Sequence, residues 1–471
     1  MRYCVTAVMF LWAAVGLNAQ TAAQLDASFD KARQEFDALR QEFADSADAA
    51  LADYLQFEMQ LFEEYDAFRR EVMQTWGDSV AVESSRKKWV EYSDDKLSRT
   101  SVDWDSGDVT VEVLVDPSDD EEYVRQKLEE AVGGLIYSRG TTNNFGSKVL
   151  PTRPVYDRPV LEGQLDLTKY GITHIPTTSA SAPKPFAKRE SAAPAPTRGG
   201  ALNLSKGRGG ATNAPKPNGG TMVDKALEKR VQEEVAANPI QEQVNAEVEV
   251  IEQQVVENIP AVVVAAQEPK VETVKTSEGE KNVVKITMEL VEDHLPKRAE
   301  QFKAMVGKHT SAYSVDAPLI YAIIEQESSF NPMAQSWVPA YGLMQLVPKS
   351  GGRDAYRYVH KTDQIPSPEF LFDPDNNIQL GTGYFKLLLT TSFAKVKDAR
   401  CRMLCAIAAY NTGAGNVSKA FIGTTNLSKA IPTINTMSYD ELYAYLRANL
   451  PHAETKDYIM KVTSKMEKYI K

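Results

Sequence analysis

A carboxylic acid that closes an apolar helical stripe can keep its proton near neutral pH, and the segment Val315 to Pro348 places one there. Ile320, Ile323, Ile324 and Glu327 follow one another at i, i+3, i+4 and i+7, the spacing of a single helix face. Burying an ionised group is unfavourable, so the expected response is a raised pKa, which a general acid working near neutral pH requires. Glu325 sits two residues earlier on roughly the opposite face, at about 100° per residue, and reads as solvated. Asp316 suits the N-cap of this helix and Pro318 its first turn. Asn331-Pro332 ends it, because the residue before proline is pushed out of the α region. Gly342-Leu343-Met344-Gln345 then supplies a close backbone approach, an adaptable apolar contact and an amide. Taken singly, each of these residues reads equally well as a helix end, a tight turn and a core methionine.

Taken together they carry more. Glu327-Ser328-Ser329-Phe330-Asn331-Pro332 with Ala334 and Ser336, then Gly342 to Gln345, then Ala409-Tyr410-Asn411 with Gly413 and Gly415, resemble in order and spacing the soluble-lytic-transglycosylase family, which has a goose-lysozyme-like fold. Phe370 to Pro374, Ile434 to Met437 and Pro451 to Glu454 with Tyr458 extend the match, which covers about residues 285 to 471. The family often has proline where Ala414 stands, a departure that removes no functional group.

The resemblance implies a peptidoglycan lyase that cleaves between N-acetylmuramic acid and N-acetylglucosamine without consuming water, leaving 1,6-anhydromuramoyl ends. It also implies a single glutamate, Glu327, acting as acid and then as base. Ser336 and Gln345 would contact the acetamido group or sugar hydroxyls, Met344 would line the groove, and Asn411 would belong to the same substrate-binding set. Tyr410 would hydrogen-bond Glu327 or the sugar, and Tyr458 would close the site from the far side; for either tyrosine the alternative is core packing with a satisfied hydroxyl. A hydrolytic muramidase and a catalytically silent wall-binding scaffold remain the rival readings. No cofactor is expected, and no metal-ligand or nucleotide-binding spacing is present in the sequence.

The elements that must position these groups occupy 471 residues, 43% of them hydrophobic and 25% charged, enough for two or three domains. A net charge of −11 argues against general nucleic-acid binding. Arg2 precedes an apolar run from Val5 to Leu17, which reads as an export leader cleaved after Ala19; Cys4 is not at the end of that run, so no lipid-accepting cysteine is seen. The expected location is periplasmic, with peptidoglycan strands and cell-envelope proteins as partners. Two routes to a membrane surface are open: an uncleaved leader, or the basic linker.

The fold class that follows is multidomain α+β. From Leu25 to Val72 apolar residues step by four and three, giving a long helical, coiled-coil-like region over 20–88, either free as a spacer or folded back on the next domain. Thr100 to Trp104 and Val109 to Val115 alternate around Asp105 to Asp108, a hairpin signal, and Glu121 to Val132 reads as a helix; together they make a small α+β domain over 89–175. Pro176 to Thr221 is rich in Pro, Ala, Gly, Ser and Thr and is expected to be a disordered basic linker. Residues 222–292 begin as a helix, and Lys270 to Thr276 with Asn282 to Leu290 form a second hairpin that could rejoin the first sheet. Residues 293–471 are expected to be the mainly α, lysozyme-like catalytic domain, with loops around Gly342 and from Pro366 to Asp375. Cys401 and Cys405, four apart on one helix face, suit buried small apolar positions; an i, i+4 disulfide would be strained.

Overall fold

A computed structural model describes residues 49–77, 82–141, 145–150, 159–165, 269–336 and 339–470, with the single positions 34 and 152. The leader, the first half of the heptad seam, the basic linker and the helix expected after it lie outside the described residues.

Helix α1 (Ala49–Trp76) is followed by β1 (Lys88–Tyr92), β2 (Ser98–Asp103), β3 (Asp108–Val115), α2 (Glu121–Tyr137), β4 (Lys270–Thr276) and β5 (Gly279–Glu289). The strands form one antiparallel sheet in the order β1-β2-β3-β5-β4. Both hairpins fall where apolar and polar residues alternate. β5 pairs with β3 over eight registered positions, from Asp108 opposite Glu289 to Val115 opposite Asn282, so the later hairpin completes the earlier sheet. The seam helix folds back: Val72 and Trp76 of α1 pack on Leu114, Val274 and Val283. Arg99 and Glu112, cross-strand partners in β2 and β3, form a buried pair at 2.6 Å, and the Arg99 guanidinium lies 4.2 Å from the Trp76 ring centroid. That pairing lets two charges sit under a helix without leaving either unsatisfied.

The remainder is helical: α3 (His294–Gln301), α4 (Lys303–Tyr313), α5 (Ala317–Ser328), a π-helical turn (Pro348–Gly352), α6 (Arg353–His360), α7 (Pro368–Phe372) and α8 (Pro374–Leu387). After a second π-helical turn (Leu388–Ser392) come α9 (Ala399–Thr412), α10 (Ala414–Ile422), α11 (Leu427–Ile434), α12 (Tyr439–Asn449) and α13 (Ala453–Tyr469). α7 occupies part of the stretch expected to be loop; Ser367 caps it by accepting from the Phe370 amide, and Pro368 presets its first turn. The core gathers the apolar faces of α5, α8, α9 and α13 around residues such as Ile320, Ile323, Ile324, Phe385, Leu404, Ile407, Ile459 and Val462. Cys401 and Cys405 are buried free thiols in this core.

One expectation fails here. Glu325 is buried, not solvated: Lys465 and Lys468 donate to its Oε1 at 2.5 and 3.0 Å, and the Tyr469 hydroxyl donates to Oε2 at 2.6 Å. The far face of α5 is covered by α13, the element it packs against most extensively, and 140 residues of separation hide that contact from any local pattern. Burial alone would raise the Glu325 pKa, but the hydrogen bonds from Lys465, Tyr469 and Lys468 hold it below the ordinary glutamate value. A depressed folded-state pKa contributes stability that is present above the unfolded pKa and lost as pH falls through the folded one. Glu325→Gln is therefore expected to destabilise the chain by about 2 kcal/mol at neutral pH, less than the full loss of a buried pair because Lys468 can rehydrate. Urea-denaturation midpoints should show this deficit shrinking as the pH is lowered below about 4.

Candidate active site

Glu327 is the penultimate residue of α5 and is 4% exposed. Asp316 takes the N-cap position with extended backbone, without a side-chain cap bond, and Pro318 occupies the first turn. Ser329 ends the helix in the left-handed region, at φ 49°, and Phe330 follows at φ 60°. These two residues turn the chain sharply away, leaving the Glu327 side chain at the helix edge.

Three attachments hold that end. Ser328 donates its hydroxyl to the Leu343 carbonyl at 2.8 Å, tying α5 to the Gly342 loop. Ser329 donates to Asp105 at 2.8 Å, in the turn between β2 and β3. Arg298 of α3, fully buried, donates to the carbonyls of Ser329 and Phe330 at 3.3 and 2.7 Å, while its guanidinium lies 3.6 Å from the Trp104 ring centroid. The sheet thus grips the residues just after the carboxylate.

The Gly342 loop is fixed from beneath. Gly342 has φ 75°, and its amide donates to the Ala334 carbonyl at 2.8 Å. Asn377 of α8, fully buried, donates to the carbonyls of Tyr341 and Leu371 at 2.8 and 2.7 Å and accepts from the Met344 amide at 2.8 Å. Sequence reading missed Asn377; an asparagine in the second turn of a polar-looking helix carries no signal of such a role.

The sequence-named residues separate into two groups. Tyr458 lies beside Glu327: it is 2% exposed, and its hydroxyl stabilises the carboxylate without forming a hydrogen bond of regular geometry. Asn411 accepts from Thr455 at 2.7 Å, linking α9 to α13. The other positions are more structural than expected. Met344 does not line a groove: its side chain is wholly buried and lies against Gly381, where even a Cβ would collide with its sulfur. Tyr410 does not hydrogen-bond Glu327; its hydroxyl donates to the Met344 carbonyl at 2.8 Å. Gln345, at φ 49°, commits its amide nitrogen to the carbonyls of Ala334 and Gly342 at 3.0 and 2.9 Å. Ser336 is half-buried and faces a cavity shared with α1, lined also by Glu58, Phe62, Tyr65 and Tyr341. Tyr410→Phe should leave a carbonyl in the Gly342 loop without its donor and lower stability by about 1–2 kcal/mol, read from the urea midpoint.

The electrostatics around Glu327 combine opposing influences. Burial raises its pKa above the ordinary glutamate value; Arg86 and Tyr458 oppose that rise, Glu454 adds to it, and Lys87 opposes it more weakly. Arg86, just before β1, donates to Glu327 at 3.2 Å and to Glu454 at 3.3 Å. Nothing in the sequence singled out Arg86, which lies 241 positions before the residue it contacts. Among the described residues no group of three or more His, Cys, Asp or Glu side chains is placed to hold a metal ion, and no helix is long and apolar enough to cross a membrane.

Comparison with known proteins adds to this geometry. Residues 304–432 match the family model of the transglycosylase SLT domain, and residues 55–134 match that of the N-terminal domain of membrane-bound lytic murein transglycosylase C. The membrane-bound lytic murein transglycosylases C of Yersinia pestis (strain Pestoides F) and Yersinia pseudotuberculosis (serotype O:1b, strain IP 31758) are each 40% identical over 184 residues, covering 39% of this chain and 51% of the relative. The matched segment thus spans about half the length of these curated relatives. Among solved structures, an inactive mutant of the lytic transglycosylase Slt from Pseudomonas aeruginosa is 28% identical with a TM-score of 0.28, over 36% of this chain and 23% of that one. The 70 kDa soluble lytic transglycosylase of Escherichia coli is 25% identical with a TM-score of 0.28, over 38% and 25%.

Proposed function

We propose that this chain, which carries a transglycosylase SLT domain behind an N-terminal domain of the membrane-bound lytic murein transglycosylase C type, is a peptidoglycan lytic transglycosylase of the cell envelope. The observation that carries the reading is the buried Glu327, its pKa raised by desolvation, at the end of the helix that opens the matched motif. A carboxyl group in that setting keeps a proton available near neutral pH and can take one back in the following step.

In the proposed course, Glu327 gives its proton to the oxygen joining N-acetylmuramic acid to N-acetylglucosamine, while the substrate's acetamido oxygen bonds to C1 and the C1–O bond breaks. The Glu327 carboxylate then removes the proton from the muramoyl 6-hydroxyl, whose oxygen bonds to C1 and releases the acetamido group. The product is a 1,6-anhydromuramoyl end, no water is consumed, and Glu327 is protonated again. Tyr458 stands ready to stabilise the carboxylate between the two transfers. Tyr410, Met344 and Gln345 act through the loop they hold in place, with their backbone and amide groups shaping the wall beside Glu327. Asn411 fixes α9 against the helix that carries Tyr458, and Ser336 lines the cavity beside α1. The leader-like first residues and the similarity to membrane-bound relatives support a periplasmic, envelope-associated site of action.

A hydrolytic muramidase is the second reading, and one observation favours it: Glu454 stands across Arg86 from Glu327, and two facing carboxylates are the usual equipment of glycoside hydrolysis. Digestion of purified sacculi followed by mass spectrometry of the fragments separates the two. Anhydromuramoyl ends support the lyase; reducing muramic acid ends overturn it.

A further inference from the structure

The group that covers Glu327 comes from outside the catalytic helices. Side-chain exposure falls inward along one line of contacts, from Glu454 at 62%, through Arg86 at 36%, to Glu327 at 6%. Arg86 therefore stands between solvent and the carboxyl group, one guanidinium nitrogen on each of two acids borne by α5 and α13. A glycosidic oxygen must come within hydrogen-bond reach of Glu327 to receive its proton, about 2.6–3.2 Å, and the Arg86 nitrogen at 3.2 Å occupies such a position.

The placement of Arg86 is built by the sheet. The Ser85 amide donates to the Lys88 carbonyl at 2.7 Å and the Trp104 amide to the Lys87 carbonyl at 2.8 Å, fixing the backbone on both sides of Arg86. Lys87 pairs with Asp105 at 2.8 Å, and Asp105 accepts from Ser329, two residues beyond Glu327. The backbone carrying the guanidinium and the backbone carrying the carboxylate are thus clamped to the same turn. Among the described residues, the guanidinium itself, more than a third exposed, is paired with these two carboxylates.

We propose that Arg86 is a positioning residue supplied by the N-terminal sheet, which rests on Glu327 in the substrate-free chain, bridges it to Glu454, and swings off as a glycan strand enters. Its effect on rate rests on the reading of Glu327 as proton donor; the contact and its electrostatic consequence do not. The charged and titratable groups facing Glu327 are Arg86 and Lys87 before β1, Glu454 and Tyr458 on α13, and Tyr410 on α9. A guanidinium beside a carboxylate favours the ionised form, so the resting contact offsets part of the rise that burial gives the Glu327 pKa, and departure of Arg86 into a competing site on Glu454 removes that opposition.

The test uses the full chain and the variants Arg86→Met, Arg86→Lys and Glu454→Gln. Ionisation of Glu327 is followed by carbon-13 NMR of glutamate labelled at the side-chain carboxyl, the Glu327 signal being assigned by its loss in Glu327→Gln. In Arg86→Met the titration should move up by about one pH unit, and the alkaline limb of sacculus cleavage should move with it. Cleavage at pH 8 should then rise several-fold. Arg86→Lys keeps the cation and should shift both by less than half as much, and Glu454→Gln, which removes the competing site and a carboxylate that raises the Glu327 pKa, should move the titration down and lower the cleavage rate. An unmoved titration in Arg86→Met overturns the contact. A moved titration with slower cleavage overturns the swinging role and makes Arg86 an aid to the proton transfer. If neither the parent chain nor any variant cleaves sacculi, the lyase reading fails, while the titration still decides whether Arg86 governs Glu327.

Discussion

Glu327→Gln is expected to lower sacculus cleavage about a thousandfold, the usual size of a lost general acid, while sedimentation with sacculi stays unchanged. Glutamine keeps the shape of the side chain and can accept from Arg86, but it has no proton to give. The stability of this variant separates chemistry from structure. Because burial raises the Glu327 pKa, the ionised form burdens the folded state: its stabilising protonated form is fully present below the unfolded pKa and is lost as pH rises through the folded one. Near neutral pH, replacement by a neutral amide should leave the melting temperature unchanged or higher. The partner left behind, Arg86, keeps Glu454 and is more than one-third exposed, so no buried charge is stranded. Loss of cleavage together with a lower melting temperature would point to damage, and retained cleavage would remove Glu327 from its role.

Gly342→Ala should have the largest effect on folding, about 4 kcal/mol. The residue sits at φ 75°, where an alanine costs roughly 1–2 kcal/mol of backbone strain. Its Cβ would also collide with the Leu371 carbonyl oxygen and the Asn377 side-chain amide. Neither neighbour can step aside freely, since Leu371 belongs to α7 and Asn377 makes three hydrogen bonds, two that bind the loop to α8 and one to Leu371. Displacing Asn377 would weaken those bonds at about 1 kcal/mol each. The urea midpoint measures the loss. A shift of less than about 1 kcal/mol would mean that the loop relaxes as a body and that Asn377 is not its anchor.

How much of this arrangement was legible beforehand depended on the range over which each signal acts. The position of Glu327 followed from a helical period within eight residues, and both hairpins followed from alternation around short polar turns. The motif from Glu327 to Ser336, with Gly342 to Gln345 and Ala409 to Gly415, carried the resemblance to the soluble-lytic-transglycosylase family, and residues 304–432 match the transglycosylase SLT domain model. The roles inside the site were harder. Met344 and Tyr410 belong to the matching motifs, yet the first is core and the second holds the first one's carbonyl. A motif records that residues are needed together, and it does not say which of them faces substrate.

The sequence by itself determined the local facts: an acid at the edge of an apolar helix, a glycine where the chain must turn left-handed, strands whose faces alternate. Only the tertiary structure decided what surrounds them. It buried Glu325 under Lys465, Lys468 and Tyr469, placed Asn377 beneath the loop, and brought Arg86 across 241 residues onto the carboxylate. The physical reason is that periodicity and turn chemistry act between neighbours in the chain, whereas desolvation and charge pairing depend on which surfaces meet once those elements have packed.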